Sequence, residues 1–466
     1  MKPIHCSAFL VALLTLHGCG SVESNPKGGA RDGDVDPAGG HAVGGSAGTS
    51  SAAGATSGNS GKGGNGAAGP GGAAGAGSTP TGSAGSAGAA AAGSAAMIDP
   101  ECAGAVTREG NVQVYTGSET GELLGEIAGS LAIYSTPSDL SELRCLRAVG
   151  GDLTVDNGST SLKSLGRLRS VGGDLKVSGN TTLVDLSDFS ALESIGTTLE
   201  LTDSPSLTTL SGTSLRSVGT RVVIRDNPAL VDLDGLEGLS ELFELIISGN
   251  TKLLNLDALA NVSFRGGDLE IADNPALRSL AGLHRFTKAS SVDISGNASL
   301  NDLKGLESLT EIGGLGLSVA NNATLGSLEA LGAVESMYAL NVVDNAALPD
   351  LSGLERVTRV WRVTVRGNPQ LTSIEALSNV RTMDDLDVSD NPQLVSLAGL
   401  EQLKNLKSIA VADQSALTSL APLSGLETLE IGTFFNNSKL ASCEIEELLS
   451  RCGATFLDVH DNGPCN

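Results

Sequence analysis

The sequence predicts a mostly β, right-handed solenoid of stacked coils, preceded by a disordered tether and followed by a small helical cap. One pattern recurs eleven times between Leu175 and Leu426, with 23 to 25 residues from copy to copy. Leucine follows the anchor position of each copy by three residues and again by six, where Ile374 is the one substitute. Glycine and proline interrupt every copy, which disfavours a set of independent amphipathic helices. The anchors are Asn180, Ser204, Asn227, Asn250, Asn274, Asn297, Asn322, Asn345, Asn368, Asn391 and Gln414.

Each copy is interpreted as one coil of a leucine-rich-repeat, β-helix-like solenoid, because a period of about 20–29 residues with this leucine spacing is the signature of that class. Two apolar residues, such as Leu175 and Val177, lie five and three positions before each anchor, as on a short strand. A glycine, aspartate or asparagine precedes the anchor and tolerates a tight turn. The anchor amide can bind backbone groups that the corner leaves unpaired. The predicted amide ladder consists of Asn180, Asn227, Asn250, Asn274, Asn297, Asn322, Asn345, Asn368 and Asn391.

The first 18 residues predict an export signal. Lys2 supplies a small positive region, and the apolar run from Ala8 to Leu16 is too short to span a bilayer. The sequence then reads Leu16-His17-Gly18-Cys19, which resembles the lipobox of bacterial lipoproteins. That resemblance implies acylation of Cys19, attachment to the membrane, and passage to the outer membrane, since no aspartate follows Cys19. An ordinary secretory signal that is cleaved nearby is the alternative.

Residues 19–98 predict a tether rich in glycine, alanine and serine. Branched apolar residues are almost absent from it, so the segment cannot bury enough surface to offset its ordering entropy. The predicted mean span is roughly 45–55 Å. We expect this segment to hold the folded part away from the membrane.

Residues 99–442 are predicted to form the solenoid, and residues 443–466 a cap that contains cysteines. Leu131 to Ile133 is predicted as the first strand, and the segment from Ser442 as a capped short helix with an acidic first turn. Export favours disulfides, and terminal coils require capping. The candidate cysteines are Cys102 with Cys145, and Cys443 with Cys465, which leaves Cys452 over; connectivity is not fixed by sequence.

The copies at 172–183 and 384–394 carry a family resemblance. They read Gly-Gly-Asp-Leu-Lys-Val-Ser-Gly-Asn-Thr-Thr-Leu and Asp-Asp-Leu-Asp-Val-Ser-Asp-Asn-Pro-Gln-Leu. Both resemble the receptor L-domain class of leucine-rich repeat, and residues 100–466 as a whole are similar to bacterial surface lipoproteins with tethers of this composition. The resemblance implies strands on more than one wall of each coil, few helices, and a ligand-binding role.

Catalytic and cofactor constellations are not found in the sequence. His284 and His460 are the histidines of the predicted folded part, and they fall in different coils. We therefore predict no enzyme activity, no cofactor and no metal site. The aspartates that precede anchors, such as Asp203 and Asp226, are interpreted as turn formers, with weak calcium binding as an open alternative. The net charge of −24 argues against nucleic acid as a partner.

The strand wall is the predicted binding surface. Val223 and Ile246 are apolar at neighbouring positions that should face solvent, and Trp361 is the one tryptophan of the chain. Trp361 shares parity with Val363 and Val365, so filling of the core or of a coil edge is the competing interpretation. Tryptophan and arginine are enriched at binding hot spots. The candidate residues are Arg221, Val223, Arg225, Ile246, Trp361, Arg362, Thr364 and Arg366.

These observations predict a membrane-anchored, exported outer-membrane lipoprotein whose solenoid recognises a protein or a glycan. A passive envelope spacer without a specific ligand is the alternative, and a β-helical enzyme that acts on polysaccharide is a remote one. Ligand identity, surface or periplasmic orientation and oligomeric state remain open at this stage.

Overall fold

The structure is a computed structural model that describes residues 99–465, except 117, 119–120, 135–139 and 157–160. The predicted export signal, Cys19, the tether and Asn157 lie outside the described residues.

Short parallel strands make up most of the described chain. They are linked by turns and by short 3₁₀ segments, and one α-helix, α1, spans Ser442–Cys452. The 3₁₀ segments are Pro100–Cys102, Ser141–Leu143, Lys163–Leu165, Ser187–Phe189, Asp257–Leu259, Ala281–Leu283, Glu329–Leu331, Glu375–Leu377 and Ala421–Leu423. The strands are β1 Val106–Arg108, β2 Val112–Val114, β3 Leu124–Ile127, β4 Leu131–Tyr134, β5 Ala148–Val149, β6 Leu153–Asp156, β7 Ser170–Val171, β8 Leu175–Ser178, β9 Ser194–Ile195, β10 Thr198–Thr202, β11 Ser217–Val218, β12 Arg221–Arg225, β13 Glu241–Leu242, β14 Glu244–Ser248, β15 Ser263–Phe264, β16 Asp268–Ala272, β17 Lys288–Ser295, β18 Glu311–Ala320, β19 Ala339–Val343, β20 Arg362–Arg366, β21 Asp385–Ser389, β22 Asn405–Ala412, β23 Thr428–Phe435 and β24 Phe456–His460.

The strands form one long parallel sheet and two smaller sheets. The long sheet has 16 strands, from β2 through the even-numbered strands to β16 and then from β17 to β24 in succession. A second parallel sheet joins β1, β3, β5, β7, β9 and β11, and a third joins β13 and β15. Each coil therefore adds one strand to the long sheet, and many coils add a second short strand on another wall. This topology confirms the predicted mostly β solenoid with strands on more than one wall.

The interior is filled from both walls by leucine and valine. On the strand wall, Leu386 and Val388 of β21 are buried, and the same two positions are buried in the neighbouring strands. The leucines three and six residues after each anchor, such as Leu394 and Leu397, are buried opposite them. These side chains form one continuous cluster through the described coils. A single coil cannot bury its own apolar face, so stacking of neighbours supplies most of the stability.

The strand ends at a left-handed turn residue in most coils. Asp203, Asp226 and Asp390 have φ between 52° and 54°, and Gly249 and Gly367 occupy the same place with φ of 71° and 66°. Aspartate, asparagine and glycine tolerate this conformation best among the amino acids. The aspartates before the anchors are therefore turn formers, as the sequence predicts.

The anchor amides lie in one buried row that runs along the solenoid. From Ser204 to Asn368, the backbone N–H of each anchor donates to the side-chain oxygen of the next anchor, at 3.0–3.2 Å. Each asparagine amide from Asn227 to Asn391 also donates to a strand carbonyl of the preceding coil, at 2.8–3.0 Å. The row thus satisfies buried backbone groups that no strand pairing reaches.

The row is interrupted at two anchors that are not asparagine. Ser204 offers no amide to Asn180, and the buried Nδ2 of Asn180 has no hydrogen-bond partner among the described atoms. Gln414 is one methylene longer than asparagine, and its buried Oε1 also lacks a described partner. The row resumes beyond it, because the backbone N–H of Gln414 donates to Asn437 Oδ1 at 3.1 Å.

The predicted first strand and the predicted helix cap differ from the structure. The long sheet begins at β2, one coil before Leu131, because Val112 and Val114 align with Leu131 and Ile133. Ser442 is the first residue of α1 rather than a cap. Its hydroxyl donates to the carbonyl of Gly463 at 2.8 Å, and no side chain caps the helix N-terminus.

Two disulfides lie at the two ends of the described chain. Cys102 is bonded to Cys145, and Cys443 is bonded to Cys465. Cys452 is a free, buried thiol, and burial raises its pKa above the ordinary value. Helix α1 buries Ile445, Leu448 and Leu449 and covers the last coils of the core.

Candidate functional site

The predicted binding residues lie along the outer face of the long sheet. Arg221, Val223 and Arg225 alternate on β12, and Arg362, Thr364 and Arg366 alternate on β20. Five strands separate them in the sheet: β14, β16, β17, β18 and β19. The structure therefore separates the candidates into two groups rather than one site.

The group around β12 is less accessible than its position in the pattern predicts. Val223 pairs with Ile246 in the neighbouring strand, yet the two side chains are only 6% and 8% exposed. Arg225 reaches across β14 and donates to both carboxylate oxygens of Glu270 on β16, at 3.1 and 3.2 Å. This bridge passes beside Ile246, which is paired with Glu270. The prediction of an exposed apolar pair here is wrong, because long charged side chains shield it.

The group around β20 is open, and Trp361 does not fill the core. Val360 takes the buried position, at 1% exposure, because the chain bends at Trp361 before β20 begins. The indole is 44% exposed and stacks on Tyr338 of the preceding coil, with 5.9 Å between ring centroids. The interpretation of Trp361 as a core residue is therefore wrong.

Trp361 belongs to a row of three exposed apolar side chains, which we call the ridge. Leu315, Tyr338 and Trp361 lie on consecutive coils, and each is between 44% and 51% exposed. Leu315 is turned outward by a bulge in β18, flanked by Gly314 and Gly316 at positive φ. Leu315 and Tyr338 are not among the residues predicted from the sequence, although Leu315, Tyr338 and Trp361 follow one another at intervals of 23 residues.

Three arginines, Arg359, Arg362 and Arg366, lie in the coil of Trp361, in an otherwise acidic chain. Arg362 pairs with Asp385 at 3.2 Å, whereas the guanidinium groups of Arg359 and Arg366 have no ion pair within the described residues. Both of these side chains are exposed. Tryptophan, tyrosine and arginine are the residue types that most often dominate binding energy at protein interfaces.

An open groove of about 500 Å³ lies where β20, β21, β22 and β23 end. Its floor is made of small side chains, Ser389, Ala410 and Ala412, and its two ends are Arg366 and Phe435. Phe435 stacks on His460 with 5.2 Å between ring centroids, so its remaining face is turned toward Ala412. The full lining is Arg366, Asp387, Ser389, Asp390, Ala410, Ala412, Asp413 and Phe435.

Hydrogen bonds already engage several carboxylates near the groove. Ser389 Oγ donates to Asp387 at 2.8 Å, and Asn436 Nδ2 donates to Asp413 at 3.0 Å. Elsewhere on the face, burial raises the pKa of Asp293, and the nearby Glu270 carboxylate adds to this effect. Burial also raises the pKa of Asp226, with repulsion from Asp203 as the next cause.

The two histidines of the described residues lie in different coils. His284 Nδ1 contacts the carbonyl of Ala281 at 3.0 Å, and His460 lies between Asp458 and Asp461 in another coil. Throughout the described ranges, no three histidine, cysteine, aspartate or glutamate side chains form a group that could hold a metal ion. In the same ranges, no helix combines the length and apolar character needed to cross a bilayer.

Comparisons with known proteins find only distant likeness. No protein-family model matches the chain, and no curated protein matches it. A leucine-rich-repeat protein of Leptospira interrogans matches 69% of this chain and 92% of its own, at 17% identity and a TM-score of 0.36. TLR13 in complex with ssRNA13 matches 76% of this chain and 63% of its own, at 17% identity and a TM-score of 0.36. The internalin InlF of Listeria monocytogenes matches 70% and 78%, at 13% identity and a TM-score of 0.32.

Proposed function

We propose that this chain is an exported, lipid-anchored protein of the cell envelope, and that its solenoid binds a protein partner through the ridge. The observation that carries the proposal is the row of Leu315, Tyr338 and Trp361, each about half exposed and two of them stacked. Adjacent parallel strands are about 4.8 Å apart, so the row presents roughly 10 Å of continuous apolar surface. Arg359, Arg362 and Arg366 lie in the same coil as Trp361 and add polar groups at that end of the row, as on the rim of protein interfaces.

A protein partner fits this surface better than a glycan does. The three ridge side chains are exposed on consecutive coils, and the guanidinium groups in the coil of Trp361 can bind carboxylates. The groove between Arg366 and Phe435 is the place where a small sugar would fit, because an aromatic face and carboxylates line it. A passive spacer would need neither feature.

The binding test compares the full chain with two alanine variants. Trp361→Ala removes the largest ridge side chain, whereas Phe243→Ala removes an aromatic side chain of equal exposure (44%) at the same coil position outside the ridge. A protein partner captured from cell-surface extracts with the native chain should then bind Trp361→Ala about 30-fold more weakly, because a hot-spot truncation costs about 2 kcal/mol or more. Its affinity for Phe243→Ala should not change.

Melting temperatures provide the control for folding, and both variants should melt within about 2 °C of the native chain since neither side chain is in the core. Equal partner affinity for all three proteins would contradict the proposal. Saturable binding of an oligosaccharide that depends on Phe435 and not on Trp361 would replace it by the glycan alternative. If no partner binds saturably, the passive-spacer alternative would replace the proposal.

The lipid anchor is tested at Cys19. Cys19→Ser should move the full-length protein from the membrane fraction to the soluble exported fraction and abolish incorporation of a radiolabelled fatty acid, because the acylated thiol is lost. Cys6→Ser is the matched control, since this cysteine lies within the predicted signal and not at the lipobox. Continued labelling and membrane retention of Cys19→Ser would show that the segment is an ordinary secretory signal or a different anchor.

A further inference from the structure

The long sheet ends at strand β24 with one edge uncovered. β24 pairs with β23 on one side, and no described strand lies on its other side. The chain that follows β24 does not fold over this edge. Gly463 donates to the carbonyl of Leu440 at 2.8 Å, and Cys465 is bonded back to Cys443.

The backbone groups on the open edge belong to Leu457 and Val459. The carbonyl of His460 accepts from the N–H of Asn436 at 3.3 Å, so the backbone of His460 faces the preceding coil. In a parallel pair, alternate residues direct both of their backbone groups to opposite sides of the strand. Leu457 and Val459 therefore present their N–H and C=O groups outward, where a further strand would bind.

The side chains of the same two residues are also uncovered. Val459 is aligned with Phe434 and Val411, which are buried, and Leu457 is aligned with Gly432 and Ile409. Nevertheless, Leu457 is 53% exposed and Val459 is 37% exposed. In the preceding coil, helix α1 covers the interior, because Leu449 lies where a side chain at Gly432 would be. The apolar face of β24 lies beyond this cover.

The edge lacks several of the devices that usually protect such strands, although Asp458 places one charge on it. Lysine, proline and bulges commonly prevent an edge from pairing with another chain, and none of them occurs in Phe456–His460. Two carboxylates lie at this strand, since Asp458 and Asp461 are at least partly exposed, and His460 contacts both of them. The nearby guanidinium of Arg451 is engaged by the carbonyls of Leu423, Ser424 and Leu426.

We propose that β24 binds an extended segment of another protein as an added strand, and that this segment alternates apolar with basic residues. Apolar side chains would cover Leu457 and Val459, and a basic side chain would lie beside Asp458. A second copy of this chain fits less well. Antiparallel pairing of β24 with itself, using both Leu457 and Val459, places Asp458 opposite Asp458, and like charges in that position are destabilising. This surface is separate from the ridge and does not depend on it.

The test uses synthetic peptides and the full chain. A labelled peptide that alternates valine with lysine should bind saturably in a fluorescence anisotropy titration, and a peptide that alternates valine with glutamate should not. Val459→Pro removes an outward N–H and should lower the affinity for the valine–lysine peptide by about tenfold or more. Val459→Thr keeps the N–H and the branched shape, and it is the matched control with a smaller effect.

A second variant keeps the proposal falsifiable if Val459→Pro disturbs the cap. Asp458→Lys leaves the backbone edge intact and should reverse the preference, so that the valine–glutamate peptide binds more tightly than the valine–lysine peptide. The ridge variant Trp361→Ala should bind both peptides like the native chain, which distinguishes this site from the proposed partner site. Peptide binding that is indifferent to both Val459→Pro and Asp458→Lys would overturn the proposal. Self-association of the native chain that Val459→Pro abolishes in sedimentation experiments would overturn it in favour of a second copy.

Discussion

Replacing Asn297 by alanine is expected to lower the free energy of unfolding by about 4 kcal/mol, because several buried hydrogen bonds are lost at once. The Asn297 amide accepts from the backbone N–H of Asn274 at 3.2 Å and donates to the carbonyl of Ile271 at 2.8 Å. Neither group gains a substitute partner in the alanine variant, since both are inside the solenoid. Denaturant unfolding followed by circular dichroism measures the loss.

Asn301→Ala is the control in the same coil, because Asn301 is exposed and its side chain should contribute little. The opposite change is available at Gln414, whose Oε1 is buried without a described partner. Gln414→Asn should raise stability by about 1 kcal/mol, since the shorter amide can accept from Asn391 as every earlier asparagine accepts from its neighbour. A loss below about 1 kcal/mol for Asn297→Ala would mean that the ladder is not a main source of stability.

Removing the disulfide between Cys102 and Cys145 is expected to destabilise the first coils by about 4 kcal/mol, from the loop-closure entropy of the cross-link. The two cysteines are 43 residues apart, and the bond joins the Pro100–Cys102 turn to the coil that contains β5. In a solenoid each coil contacts only its neighbours, so the effect should be local. In the double variant Cys102→Ser, Cys145→Ser, hydrogen exchange should lose protection from β1 to β5 and keep it beyond β10.

Two further variants serve as controls for the effect of removing the disulfide between Cys102 and Cys145. Removing the bond between Cys443 and Cys465, which are 22 residues apart, should act on α1 and β24 instead, with a smaller loss of about 3 kcal/mol. Cys452→Ala removes the free thiol and should leave both ends protected. Exchange that accelerates uniformly along the solenoid, or not at all, after loss of Cys102 and Cys145 would contradict the local cap.

The sequence repeat was sufficient to predict the coils, because similar residues recur at the three positions that determine a coil: the strand, the turn and the corner. The strand position is set by pairs such as Leu386 and Val388, the turn by residues such as Asp390, and the corner by the anchor Asn391. Each position has a physical requirement that few amino acids meet. The strands, the turns and the side of each strand that faces the core therefore follow from the residue types alone.

The candidate surface was predictable only in part, because exposure depends on neighbouring coils and not on parity. Val223 and Ile246 have the outward parity but are buried, and the bridge from Arg225 to Glu270 crosses β14 beside Ile246. Trp361 lies in a bend before its strand, where the in-and-out alternation has not begun. The position of a residue in the repeat thus predicts its backbone conformation. Its accessibility to a partner depends in addition on the long charged side chains of neighbouring coils.

The interruptions at Ser204 and Gln414 divide the row of amides into a long central run and short outer parts. Oriented amides that donate to one another polarise their neighbours, so each bond within the run is reinforced by the others. The bonds from backbone N–H to the next anchor's side-chain oxygen extend without a break from Asn227 to Asn391, whereas Asn297 Nδ2 donates to the carbonyl of Ile271 and has no described bond to Asn322. Both disulfides lie outside that run, so covalent bonds secure the coils that electrostatic cooperativity does not reach.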